Sequence, residues 1–192
     1  VRAQRIAPAM IAPPQMVPPQ EAPLATAPQS LTHGGFELGP RKGGRLSTGS
    51  ESLPGWTVVG GRVFYLPEAP AGGSTGALHL AESGAVRQLF ATQPGQSYQL
   101  RLRLTGMPKS VNSGPRVQIM IGNISTEVDT FVPAKGDGPA KWAEGFLEFQ
   151  AAARGTTVEL TNLHASPADG SPIIDDVTLV PVTPSPGMRL VQ

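Results

Sequence analysis

Apolar and polar residues alternate through the middle of the chain. In the run from Tyr98 to Leu104, Tyr98, Leu100, Leu102 and Leu104 fall on one side and Gln99, Arg101 and Arg103 on the other. A period of two is the signature of a strand with one buried face, and slipping it by one residue would bury the guanidiniums of Arg101 and Arg103. The register is therefore strongly fixed. The pattern recurs at Val117, Ile119 and Ile121, at Val158 and Leu160, at Leu78 and Leu80, at Val63 and Tyr65, and at Leu147 and Phe149. About nine such runs fit between Leu31 and Val182. Gly60-Gly61, Pro94-Gly95, Gly114-Pro115, Gly136-Asp137-Gly138 and Asp169-Gly170 are read as the turns between them. No window sustains helical spacing. Eight or more strands in about 150 residues predict an all-β fold, a two-sheet antiparallel β-sandwich, with a jelly roll favoured because it manages sheet edges within that length.

The pattern also divides the chain. Seven of the 21 prolines lie in residues 1–29, spaced by Ala and Gln, which reads as a linker rather than a core. Proline fixes φ and removes a donor, so this stretch favours an extended polyproline II spacer at about 3.1 Å per residue; a disordered tail has the same composition. Residues 30–182 are expected to form one β-sandwich domain, and residues 183–192, with Pro184 and Pro186, a second tail. Val1-Arg2-Ala3 ends in the small residue that a signal-peptide cleavage site requires, which leads to the expectation of a secreted or cell-surface protein.

Composition removes several classes of function. Lys plus Arg is 15 and Asp plus Glu is 14, so the net charge of +1 provides no global field to recruit nucleic acid or an acidic membrane. Cysteine is absent, which excludes disulfides, thiolate zinc sites and a cysteine nucleophile. No run approaches the roughly 18 apolar residues of a membrane span. His33, His79 and His164 are too scattered for a zinc motif. Gly72-Gly73-Ser74-Thr75-Gly76 matches a nucleophile elbow in letters only, because no helix follows it, and it is read as a loop. The expectation is a protein that is not an enzyme.

The carboxylates at the two ends of the domain say more. Asp175 and Asp176 interrupt the apolar run Ile173 to Leu179, and strict alternation places Asp175 with Ile173, Val177 and Leu179. If those three face the core, Asp175 is drawn inward, where a carboxylate needs backbone donors, a basic partner or a cation. Structural calcium, which takes six to eight oxygens, would suit Asp175 together with Glu37 and loop carbonyls, provided the first and last strands lie side by side. Acceptance of backbone N–H bonds alone is the alternative.

Several segments, taken together and in order, carry a resemblance. They are Leu31-Thr32-His33-Gly34-Gly35-Phe36-Glu37, Leu53-Pro54-Gly55-Trp56-Thr57-Val58, Gly76-Ala77-Leu78-His79-Leu80, the stretch from Gln88 to Tyr98, and Ile174-Asp175-Asp176-Val177. Over residues 30–182 this resembles the choice-of-anchor C family of bacterial surface proteins and the related plant cell-wall proteins with galactose-binding-like domains. The resemblance implies a secreted, non-catalytic jelly roll associated with cell-wall or extracellular polysaccharide, similar to carbohydrate-binding modules. It also implies structural calcium at Glu37 and Asp175. His33 stands where the family usually has Asn, and imidazole is a poor calcium ligand.

Sugar recognition calls for an exposed aromatic face flanked by planar hydrogen-bonding groups. Trp56 and Trp142 are read as packing residues, whereas Phe64 and Phe146 fall opposite the core sets of their strands and are the candidates for stacking. Gln99, Arg101 and Arg103 share a strand face, and Arg116 and Gln118 are expected beside them; guanidinium forks suit uronate carboxylates. The solvated side of a half-buried strand would look the same. The expected partner is a polysaccharide, acidic ones included, and cell-wall proteins are further expected partners. The alternative function is a surface adhesion or assembly module that binds protein and no sugar. Asn123-Ile124-Ser125 is also an N-glycosylation acceptor sequence.

Overall fold

The computed structural model describes residues 33–69, 75–106, 116–129, 142–165 and 171–183, with the backbone of 189–190. The linker assigned to residues 1–29, Ser74, and the turns read at Gly114-Pro115, Gly136-Asp137-Gly138 and Asp169-Gly170 lie outside the described residues. Among the described residues there are ten strands and no helix. They are β1 (Gly44–Leu46), β2 (Thr57–Leu66), β3 (Ala77–Ala91), β4 (Ser97–Gly106), β5 (Arg116–Ile121), β6 (Ile124–Asp129), β7 (Ala143–Gln150), β8 (Gly155–Asn162), β9 (Pro172–Pro181) and β10 (Arg189–Leu190). Hydrogen bonds link them in the order β10-β7-β4-β9-β3-β8-β5-β6, and β2 joins β3 and carries β1. Every pairing is antiparallel except that of β10, within the stretch read as a tail, which runs parallel to β7.

The expected all-β sandwich is borne out, and one strand makes two layers out of a single ladder. The first part of β3 pairs with β9 at Leu78 and His79, whereas Ala85–Ala91 pairs with β8. Between them Glu82 and Ser83 take positive φ values of 41° and 58°. Here β2 and β3 press together so closely that a β-carbon on Gly61 would lie 2.2 Å from the Ser83 backbone, and one on Gly84 would lie 2.4 Å from the Arg62 carbonyl. Only glycine fits at either position. Gly60-Gly61 is therefore not the turn its composition suggested. It lies inside β2, where two register shifts bend the strand.

Alternation sets the core. Tyr98, Leu100, Leu102 and Leu104 are at most 1% exposed, and Val117, Ile119, Ile121, Val158 and Leu160 are fully buried. Phe149 stacks on Tyr98 at 5.8 Å and meets Phe90 edge-on at 6.4 Å, joining β7 and β4 to the far part of β3. Trp56, 1% exposed, packs against Phe36 at 5.5 Å, as expected of a packing residue.

Residues 33–39 form turns rather than a first strand. They dock on the sandwich through the Val177 N–H, which donates to the Gly34 carbonyl (2.9 Å), and the Tyr65 hydroxyl, which donates to the Phe36 carbonyl (2.9 Å). At the other chain end, strict parity fails at Asp175-Asp176. β4 and β9 shift register between Arg101 and Arg103, and Asp176 has φ of 49°. This bulge lets Ile174 and Val177 both reach the core, while Asp175 pairs across to Arg103 instead of lining up with Val177 and Leu179. Asp175 is nevertheless fully buried.

Candidate functional site

The outward residues of β7, β4 and β9 meet in cross-strand rows, because directly opposed residues in an antiparallel pair share a face. One row is Glu144, Arg103 and Asp175; the next is Phe146, Arg101 and Thr178; the third is Glu148, Gln99 and Val180. From these rows Glu144, Arg103, Phe146, Arg101, Thr178 and Gln99, together with Asp176, line a groove of about 480 Å³. Four of the residues expected to bind sugar, Gln99, Arg101, Arg103 and Phe146, are thus brought together.

Two polar clusters hold the groove in shape. The Arg103 guanidinium contacts the Asp176 carboxylate (3.1 Å), and its carbon lies 5.0 Å from the centre of the Trp142 ring. The left-handed backbone of Asp176 aims its carboxylate at Arg103. In the other cluster the Gln99 amide donates to Glu148 (2.8 Å), and its oxygen accepts from Arg101 Nε. Arg101 is exposed and has no carboxylate partner among the described residues. Phe146, directly opposite it, is 63% exposed. An open aromatic face therefore stands beside a guanidinium whose fork is not committed to a carboxylate, with the exposed Glu144 carboxylate two residues along the strand.

Sequence reasoning takes Trp142 for a packing residue and gives Glu144 and Asp176 no part in binding. Trp142 and Glu144 share even spacing with Phe146, which is a usable signal; the position of Asp176 depends on a bulge that alternation hides.

The remaining candidates lie elsewhere. Phe64 is on β2, half-buried, stacked on His79 at 5.6 Å and covered by Arg62 at 5.5 Å, so its ring is engaged within the chain. Arg116 and Gln118 do not lie beside Arg101 and Arg103. Strand β5 pairs with β8 and β6, because the chain crosses to the other layer after β4, and Arg116 faces Glu127 (3.5 Å) and Asp129 (3.0 Å). Asn123 is exposed at the turn between β5 and β6.

Glu37 and Asp175 fall at the same end of the sandwich. Burial raises the Tyr65 phenol above its ordinary value of 10.0, opposed by the Gly39 amide and reinforced by the negative charges of Glu37 and Asp175. Asp175 accepts the Asp176 N–H (2.7 Å), and Gly35 lies between the Glu37 and Asp176 carboxylates. Among the described residues no three His, Cys, Asp or Glu side chains gather as a metal site. The donors are oxygens, as calcium prefers, and backbone carbonyls or water would have to supply most of the six to eight it takes.

Comparison with solved structures extends the fold assignment. The chain is similar to TmCBM61 in complex with β-1,4-galactotriose, with 18% identity, a TM-score of 0.51, and coverage of 80% of this chain and 99% of that one. It is also similar to the CBM22-1 xylan-binding domain of Xyn10C from Paenibacillus barcinonensis, with 13% identity, a TM-score of 0.51, and coverage of 84% and 100%. At these identities the likeness is one of fold, that of carbohydrate-binding modules. No curated protein matches the chain. Residues 29–180 match the family described as "Protein of unknown function (DUF642)", and the chain belongs to that family.

Proposed function

We propose that the chain is a non-catalytic carbohydrate-binding module of the cell surface or extracellular space, holding a polysaccharide in the groove across β7, β4 and β9. The observation that carries this reading is the pairing of the open Phe146 ring with Arg101. A pyranose stacked on the ring would place its hydroxyls within reach of Arg101, Gln99 and Glu144, and a uronate carboxylate would match the Arg101 fork. The fold shared with sugar-binding modules supports the same reading, as does the resemblance to choice-of-anchor C proteins.

Burying a phenylalanine ring is worth about 1.5–3 kcal/mol. Phe146 is already partly covered, at 63% exposed, so Phe146→Ala should cost about 1–2 kcal/mol of binding, roughly five- to thirtyfold in Kd. Affinity electrophoresis in gels containing β-1,4-galactan, xylan or polygalacturonate measures this. Equal retardation of wild type and variant in every polymer would refute the groove.

The proposal includes structural calcium held by Glu37 and Asp175 with loop carbonyls. A second reading, a protein-binding adhesion module, draws on Leu89, which is 71% exposed on the other layer opposite Thr157. Capture of a wall protein that survives enzymatic deglycosylation, and is lost in Leu89→Asp, would favour it.

A further inference from the structure

Cations in this protein are treated unequally. Arg62, Arg87, Arg103 and Arg116 each pair with a carboxylate. Arg41, Lys42 and Arg45, which crowd into five positions before and at β1, are all exposed, and none has a carboxylate partner among the described residues. Like charges so close together repel, and a chain with a net charge of +1 has acids enough to neutralise them.

The segment that presents them is built rather than loose. The Gly43 N–H donates to the Pro40 carbonyl (2.9 Å), closing a β-turn with Arg41 and Lys42 at its two central positions. Gly43 has φ of 63°, and a β-carbon there would lie 2.7 Å from Pro67 and 3.0 Å from the Tyr65 carbonyl, so the turn is pressed against the end of β2. Strand β1 then pairs with β2 through Gly44–Tyr65, Arg45–Phe64 and Leu46–Val63, with Leu46 anchored in the core at 6% exposed. The cations are thus held outward before any ligand arrives, which lowers the ordering cost of binding. Through Phe64, His79 and Ile173, Arg45 belongs to the same outer sheet face as the groove. Four strand spacings of about 4.8 Å separate β1 from β4 on that face, roughly 19 Å along the sheet.

We infer that the Arg41-Lys42-Gly43-Gly44-Arg45 turn is a second contact site, for the carboxylates of an acidic polysaccharide. Two guanidinium forks and an ammonium on one rigid turn match a string of uronate groups, each fork taking a carboxylate side-on. The choice of a polysaccharide as the polyanion rests on the proposed function; the site itself does not require the groove.

The test is affinity electrophoresis of the full chain at low ionic strength, with mobilities referred to polymer-free gels. In polygalacturonate, Arg41→Ala/Lys42→Ala/Arg45→Ala is expected to lose about tenfold in affinity, the product of three exposed charge contacts. In xylan and galactan it should match wild type. The control Arg87→Ala/Arg116→Ala/Arg154→Ala removes equal charge elsewhere and should keep polygalacturonate affinity. Undiminished binding by the turn variant, equal loss in the control, or no retardation of wild type by polygalacturonate would each overturn the inference. Turn-dependent retention in polygalacturonate, with Phe146→Ala retarded as strongly as wild type in every polymer, would remove the groove and leave the turn standing.

Discussion

Tyr65→Phe isolates the bond that clamps the 33–39 loop. The ring is buried and its hydroxyl donates to the Phe36 carbonyl at 2.9 Å, while Phe36 itself packs on Trp56. Removing a partner from a buried hydrogen bond costs about 1–3 kcal/mol. The lower end applies, because the Phe36 carbonyl keeps the Gly39 N–H at 3.3 Å. A loss of about 1 kcal/mol corresponds to roughly 2–4 °C in Tm for a domain of this size. The pH dependence sharpens the test. The folded phenol titrates above its ordinary value of 10.0, chiefly through burial, so the folded state holds its proton where the unfolded state releases it. The stability linked to that proton is fully present below pH 10.0 and is lost as pH rises through the folded value. Calorimetric melting of both proteins across neutral to alkaline pH should show a constant Tm gap that narrows above the unfolded value. Equal melting at neutral pH, or a gap that stays constant into strong alkali, would refute the clamp.

Three further outcomes are expected. Leu100→Ala, at a fully buried position of β4, should cost about 2–5 kcal/mol in urea unfolding with an unchanged slope. Asn162→Ala removes a buried amide that donates to the Leu80 carbonyl (2.9 Å) and accepts the His164 N–H (2.9 Å), tying β8 to β3; a loss of about 2 kcal/mol is expected, measured the same way. If calcium is bound as proposed, a chelator should lower Tm, calcium should restore it, and Glu37→Gln should blunt both responses. Identical melting with and without chelator would remove the metal.

Strand faces were legible because a period of two survives any tertiary arrangement: β4, β5 and β8 bury the residues that alternation assigned, and Phe146 points outward as its parity required. What alternation does not encode is which strand lies beside which. Consecutive β4 and β5 looked like neighbours, yet they lie in different layers, which separates Arg116 and Gln118 from Arg101. Bulges are equally hidden. One extra residue at Asp175-Asp176 reverses the phase of the rest of β9, and two glycines that look like a turn sit within β2, where the missing side chain of Gly61 lets β3 approach. The partners of Phe64 show a third limit, since parity says that a ring faces out without saying what covers it.

The long strand shared by both layers has a mechanical consequence. Ala77–Ala91 runs through both halves of the sandwich, with β2 on one side and β9 and then β8 on the other, so neither half can melt, slide or be excised while the other stays intact. Cleavage near Glu82-Ser83 should destroy both halves at once, whereas a nick in the turn at Pro94-Gly95 leaves that shared beam whole.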